Sequence, residues 1–227
     1  MQPRLLGQLG LADVVTVANA GLGFVAAAVA VVDPGLAARL VLVAAIADGI
    51  DGVLARVRGG TVVGPHLDSL ADVASFGVAP AVLVYAVATG GGYAELGSLW
   101  AAAAVGVPAV YVAMAVVRLG FYTLHDSGDP NTEGVQTTLA ATIIAAAYLS
   151  GLTDPTALVG LTAVFCYLMI ASVTYPDLYA RDALILGGLQ SLAVLFPTVW
   201  SRVLPRSLLA FALAYLLFAP VAYWRDP

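Results

Sequence analysis

The sequence predicts an all-α fold, a polytopic bundle of transmembrane helices, and three observations carry that prediction. Hydrophobic residues make up 61% of the 227-residue chain, and the mean hydropathy is +0.96, far above a soluble domain. Charged residues make up only 10%. Apolar stretches recur along the whole length, each near the size needed to cross a hydrocarbon layer about 30 Å thick. Eight candidate spans follow: 15–32, 36–57, 64–89, 98–123, 135–151, 155–173, 183–199 and 206–223. One integral-membrane domain over 1–227 is expected, because the links between spans are short.

The apolar run of the first span, from Val14, continues directly into the bundle pattern. Only Arg4 precedes it as positive charge, which argues against a cleaved signal peptide. Residues 4–13, RLLGQLGLAD, read either as a short interfacial helix with leucines on one face or as a flexible, partly ordered tail. The links VVDPG at 31–35, GGGY at 90–93 and LTDP at 152–155 fall on one side of the membrane. The Arg58–Pro65 loop, the polar loop HDSGDPNTEG at 125–134 and the TYPDLYARD segment fall on the other. Pro80, Pro108 and Pro176 read as helix kinks or ends. Tyr85, Tyr111 and the tryptophans read as packing or interfacial anchors. Cys166, the lone cysteine, lies inside the sixth span, so no disulfide forms within the chain.

Charge sets the orientation. All nine basic residues are arginine, and 14 acids give a net charge of −5. Such an acidic, lysine-free set fits work at high salt, or simple drift toward Ala, Gly, Val and Arg. No nucleic-acid partner is expected. A cytoplasmic N-terminus places Arg4, Arg56, Arg58, Arg118, Arg181 and Arg225 on the cytoplasmic side. Arg39, Arg202 and Arg206 then lie opposite, in keeping with the positive-inside tendency.

Against this background the stretch DGIDGVLARVRGGTVVGPHLDSLAD, Asp48 to Asp72, is anomalous. It places four aspartates and two arginines between strongly apolar runs. On a helix, Asp48 and Asp51 share a face, and Ala55 follows Asp51 by one turn. Gly52 and Arg56 form an adjoining stripe. In the next helix Gly64, Asp68 and Asp72 fall at successive i+4 positions along one line. The short link makes the two helices antiparallel neighbours, so their aspartate faces meet.

An aspartate at the centre of a membrane helix costs roughly 2.5–3.5 kcal/mol on insertion scales. Packing does not offset four of them, and converging carboxylates repel unless protonated or bridged by cations. Hard divalent ions such as Mg²⁺ or Mn²⁺ prefer oxygen ligands, and four carboxylates suit one or two of them. Carboxylate-held metal pairs serve in-line displacement at phosphorus, with a nearby carboxylate taking the nucleophile's proton. Arg56 suits a phosphate through its planar fork. Gly52 and Gly64 either admit a ligand close to the backbone or act as helix-packing notches. The residues therefore point to a metal-dependent phosphotransferase working at a membrane surface. An ion-coupled transporter is the rival class, since buried carboxylates also mark ion pathways; no internal repeat of the kind common in transporters is visible.

The stretch also resembles the signature of the CDP-alcohol phosphotransferases, D-x-x-D-G-x-x-A-R, a spacer, then G-x-x-x-D-x-x-x-D. All eight defining positions match, as Asp48, Asp51, Gly52, Ala55 and Arg56, then seven residues, then Gly64, Asp68 and Asp72. The resemblance implies that the four aspartates hold two divalent ions, Mg²⁺ or Mn²⁺, and that Asp72 is the general base. It implies that Gly52, Ala55, Arg56 and Gly64 contact the CDP moiety, and that the protein is a homodimer. Within the family the chain is most similar to the phosphatidylserine synthases of bacteria and archaea, through Asp68-Ser-Leu-Ala-Asp-Val-Ala-Ser-Phe-Gly-Val-Ala-Pro-Ala81 and the Thr16, Asn19, Gly23 pattern. It departs from them at Phe121, where a second arginine is usual, and over Glu133–Thr138. This likeness implies transfer from CDP-diacylglycerol or CDP-archaeol to L-serine, with release of CMP in the bilayer. Glycerol phosphate and inositol phosphate are the rival acceptors. A phosphorylated acceptor calls for several cationic partners, whereas one arginine satisfies a carboxylate. Arg118, with Gln136, Thr137 and Thr138, is therefore the candidate acceptor site.

Overall fold

Helix ends in this chain are written by local chemistry. Asp33 precedes Pro34 and its Oδ1 accepts the Leu36 N–H at 2.9 Å. Asp154 does the same for Ala157 at 2.7 Å, ahead of Pro155. Ser98 Oγ caps Ala101 at 3.0 Å. In each case a side-chain oxygen satisfies an N–H that the helix leaves unpaired. Gly90 and Gly151, at φ +62° and +108°, close helices in the left-handed region.

The structure is a computed structural model and describes residues 9–92, 97–126, 131–176, 178 and 180–223. Within them are eight helices, and the all-α membrane class stands. They are α1 (Leu11–Ala30), α2 (Pro34–Arg58), α3 (Gly64–Thr89), α4 (Leu99–Phe121), α5 (Thr137–Ser150), α6 (Pro155–Leu168), α7 (Ala180–Leu195) and α8 (Val199–Ala222). Arg4, Arg225, Tyr93, residues 127–130 of the polar loop and most of the expected interfacial helix lie outside the described residues. Residues 11–13 of that expected helix form the first turn of α1 instead, and Asp13 is buried.

Among the described residues, four helices are long and apolar enough to cross a membrane: Leu11–Ala30, Gly64–Thr89, Leu99–Leu124 and Val199–Ala222. The expected count of eight spans is not matched by eight such helices. Helix α2 has 25 residues but carries Arg39, Asp48, Asp51, Arg56 and Arg58. Helices α5 and α6 have 14 residues each, about 21 Å of helix. Helix α5 is nevertheless the centre of the bundle, with Ala140 to Ala147 buried without a break and α2 and α8 packed on it. A helix that is apolar all round is one surrounded by protein. Large exposed apolar side chains lie elsewhere, among them Phe24 on α1 and Leu217 and Phe218 on α8.

Two irregular features position the site. Helix α3 carries a π turn over Val73–Val78, where the Ala79 N–H reaches back to the Ala74 carbonyl. The extra residue disturbs the regular ladder, and buried hydroxyls occupy the segment: Tyr111 donates to the Phe76 carbonyl at 3.0 Å, and Ser75 to the Asn19 carbonyl at 2.8 Å. Gly23 makes this crossing possible, since a Cβ there would lie 2.7 Å from Ser75 Cα. The second feature is a pair of three-residue strands that the sequence reading missed. Strand β1 (Asn131–Glu133) pairs antiparallel with β2 (Thr174–Pro176), Thr132 opposite Tyr175. Pro176 is thus a strand end and not a helix kink. Gly134, at φ +74°, follows β1 where a Cβ would lie 2.3 Å from the Met169 carbonyl oxygen. No other residue fits there.

The opposite end of the bundle is closed by its arginines. Arg39 donates to the Val194 carbonyl at 2.8 Å, near the end of α7. Arg206 reaches the Ser150 carbonyl at the end of α5 at 3.4 Å. Cations at helix C-termini are favoured by the helix dipole and the free carbonyls.

Candidate functional site

The antiparallel pairing expected for the signature helices brings three of its four aspartates together. Asp48 on α2 and Asp68 and Asp72 on α3 each offer a carboxylate oxygen, all within 4.8 Å of one another. Asp48 interacts with Asp72 and with the Thr138 hydroxyl at the start of α5. Asp72 is 7% exposed. Its Oδ1 is buried and, among the described residues, has no hydrogen-bond partner. Such an orphaned carboxylate oxygen is costly unless something binds it. Three acidic oxygens at this spacing form a hard-oxygen donor set, which fits a divalent cation of the Mg²⁺ or Mn²⁺ type.

Asp51 stands one turn away and is engaged differently. It is 3% exposed, and its Oδ2 accepts the Thr16 hydroxyl of α1 at 2.7 Å. Its charge still acts on Asp48 and Asp68. Helix α1 therefore contributes to the site through a stripe of Asp13, Thr16, Asn19 and Gly23, all buried. Asn19 is 2% exposed, and neither atom of its amide has a partner among the described residues. The stripe is readable in the sequence, since polar residues three apart on an apolar helix share one face. Asp13 was not singled out there.

Arg118 on α4 faces the same centre. It is 7% exposed, donates from Nη2 to Thr132 Oγ1 at 3.1 Å, and lies over the Tyr122 ring at 5.6 Å from its centroid. Its charge acts on Asp72. The β1–β2 pair thus serves to hold Thr132, and through it the guanidinium, at the mouth of the site. Of the other expected acceptor residues, Thr138 meets Asp48, Thr137 is buried at 1% exposure, and Gln136 is half-buried at the helix start.

The remaining signature positions divide. Arg56 is exposed and its guanidinium lies over Gly52, at 3.8 and 3.9 Å from where a Cβ would stand. Ala55 is half-buried beside it. Gly64 is packed: a Cβ there would meet Asp13 Oδ1 at 3.2 Å and Thr61 Oγ1 at 3.5 Å. Gly52 thus opens toward an exposed cation, and Gly64 onto a carboxylate.

A family model described as CDP-alcohol phosphatidyltransferase matches residues 9–176, which include every element named in this site. The chain belongs to that family. It is an enzyme of the CDP-alcohol phosphotransferase kind, embedded in a membrane, and the transporter alternative finds no support. The chain is similar to an archaetidylserine synthase of Methanothermobacter thermautotrophicus, 31% identical over 178 residues, covering 76% of this chain and 72% of that protein. It is similar to a CDP-diacylglycerol–serine O-phosphatidyltransferase of Helicobacter pylori, 29% identical over 153 residues, covering 63% and 61%. A shorter match to the enzyme of that name from Mycobacterium leprae reaches 52% identity over 54 residues, 23% of this chain and 18% of that one.

Proposed function

We propose that the protein transfers the phosphatidyl or archaetidyl group of a CDP-activated lipid to L-serine, releasing CMP on the cytoplasmic face of the cell membrane. The observation that carries the reading is the juxtaposition of the Asp48, Asp68 and Asp72 cluster with the buried Arg118 guanidinium. The names of the relatives from Methanothermobacter thermautotrophicus and Helicobacter pylori agree with serine as acceptor.

Asp48, Asp68 and Asp72, with Asp51 beside them, would hold one or two divalent ions, Mg²⁺ or Mn²⁺. When bound, such ions neutralise diphosphate oxygens and stabilise the leaving group. Arg56, over the open Gly52, binds the diphosphate of CDP-diacylglycerol or CDP-archaeol, with Ala55 and the backbone near Gly64 bordering the nucleotide. Arg118 pairs with the serine carboxylate, leaving Thr138 to orient the polar groups of the amino acid. Asp72 accepts the proton from the serine hydroxyl. The serine oxygen then forms a bond to the lipid-bearing phosphorus, and the bond from that phosphorus to the CMP oxygen breaks. CMP leaves, and the lipid carries phosphoserine. The family resemblance adds a homodimer as the working assembly.

A serine acceptor agrees with the supply of cations. Arg181 is exposed and paired with Asp182 at 3.3 Å, so Arg118 is the buried arginine at the site, and one arginine balances one carboxylate better than a phosphate dianion. The test offers the purified protein its CDP-lipid with serine, glycerol 3-phosphate or inositol phosphate, at low and high salt, and measures CMP release. Serine gives the highest kcat/KM. Faster release with either phosphorylated alcohol would refute the serine assignment and leave the transfer chemistry standing.

A further inference from the structure

We propose that Asp13 is a positioning residue for the acidic centre: its carboxylate ties the start of α1 to the spacer between the two halves of the signature, and so sets how α3 presents Asp68 and Asp72 to Asp48. The inference rests on the metal-dependent reading above. Its basis is the contacts that Asp13, itself outside the eight signature positions, makes with the spacer and with Gly64.

Asp13 is 3% exposed, unusual for a carboxylate in the first turn of a helix. Its Oδ2 accepts two hydrogen bonds of different kinds. One comes from the Gly10 backbone N–H at 2.8 Å, a local cap of α1. The other comes from the Thr61 hydroxyl at 2.8 Å, across 48 positions of sequence. Thr61 is the one polar side chain within Gly59–Val63, and its carbonyl accepts the Gly64 N–H at 3.2 Å, the first turn of α3. The rest of that segment is exposed, Val62 at 98%. The spacer would otherwise hang free between α2 and α3. Asp13 gives it a fixed point.

Gly64 completes the device. A Cβ there would lie 3.2 Å from Asp13 Oδ1, tighter than ordinary packing. The glycine makes room for the carboxylate, and α3 thereby starts directly against α1. One turn further along α1, Thr16 donates to Asp51 of α2. Helix α1 therefore holds both halves of the signature, α2 through Thr16 and α3 through Asp13. Groups that hold metal ligands in place typically change metal affinity about 10–100-fold when removed.

A purely local role is the competing explanation, in which Asp13 does no more than cap α1 through Gly10. The two separate on Thr61, which has no part in the cap. The experiment uses the full-length protein in detergent, freed of metal, with Mn²⁺ titrated and its free signal followed by electron paramagnetic resonance. Asp13→Ala and Thr61→Val are each expected to weaken Mn²⁺ binding about 10-fold, with little change in Tm. Asp13→Asn, which keeps an acceptor oxygen, restores binding to near the wild-type value. Gly64→Ala weakens binding in the wild-type background and adds little to Asp13→Ala, since the clash is then relieved. If Asp13→Ala fails to fold, Thr61→Val alone carries the comparison. Wild-type affinity in Thr61→Val would overturn the tether. Wild-type protein that takes up no Mn²⁺ would overturn the metal reading itself, and the tether's purpose with it.

Discussion

Two clusters of buried and half-buried polar groups lie toward the end of the bundle read as cytoplasmic, and they differ in how completely they are satisfied. Around β2 and α8, each tyrosine hydroxyl has an acceptor: Tyr175 donates to the Leu216 carbonyl at 3.2 Å, Tyr215 to the Pro176 carbonyl, and Tyr223 to Asp182. Their rings meet in turn, Tyr175 tilted against Tyr215 and Tyr215 edge-on to Tyr223. Around α1, α2 and α3 the opposite holds. Carboxylates face one another, Asp72 Oδ1 is orphaned, and the Asn19 amide has no partner among the described residues. The first cluster is closed and serves to hold the chain together. The second is open, and an open buried cluster makes sense only with something bound in it.

Substitutions sharpen that contrast, beginning with the open cluster. Asp72→Asn is expected to lower kcat by about 10²–10⁴-fold, the range for a lost general base, while the protein remains inserted and folded. Asp48→Asn and Asp68→Asn are expected to be as damaging, through loss of a cation ligand. Binding of the CDP-lipid distinguishes the roles. Arg56→Ala weakens it more than Asp72→Asn, because an arginine on a phosphate acts in the ground state and a base only in the chemical step. Equal losses would assign Asp72 chiefly to holding the cation.

Arg118→Gln comes next in size. Removing a buried charge-assisted contact costs about 1.5–3 kcal/mol, so kcat/KM for serine should fall roughly 10–100-fold, with binding of the CDP-lipid little changed. A loss equal for both substrates would place Arg118 on the diphosphate instead. The closed cluster gives the smallest effect. Tyr175→Phe is expected to lower stability by about 1 kcal/mol, read as a shift in the denaturation midpoint, and to leave turnover intact. A large loss of turnover there would mean that the tyrosine ladder belongs to the chemistry.

Orientation is tested on the same end-to-end contrast. Val62 and Val32 are 98% and 88% exposed, in the spacer and in the α1–α2 link. A cysteine replacing Val62 should react with an impermeant reagent from the cytoplasmic side, and one replacing Val32 from the other. The reverse pattern would place the site away from soluble CMP and its acceptor.

What was legible in the sequence follows from range. The aspartates declared themselves because their spacing is local and their cost in a membrane is high. The caps at Asp33, Ser98 and Asp154 sit three residues before the N–H groups they accept from, and the helix starts fell within about two residues of expectation at α2, α3, α4 and α6. The β1–β2 pair was not legible, because three-residue strands 40 positions apart carry no alternation. Asp13 read only as the end of the N-terminal segment 4–13, since its decisive partner, Thr61, is 48 positions away. The π turn after Asp72 leaves no mark in an apolar run, and neither does the left-handed turn at Trp200, Ser201 and Arg202 that opens α8. Acceptor residues were the hardest to read. Arg118 was found from its charge, but the separation of Thr137 from Thr138 depends on how α5 is rotated.

The central claim is that the open cluster works only with a divalent ion in it, and turns CDP-lipid and serine into product there. The most direct measurement follows labelled serine into lipid, together with CMP release, by the purified protein in Mg²⁺ and then in excess EDTA. The account predicts equal amounts of serine-labelled lipid and CMP in Mg²⁺, loss of nearly all turnover on chelation, and recovery when Mg²⁺ or Mn²⁺ is returned. Undiminished turnover in excess EDTA would contradict it.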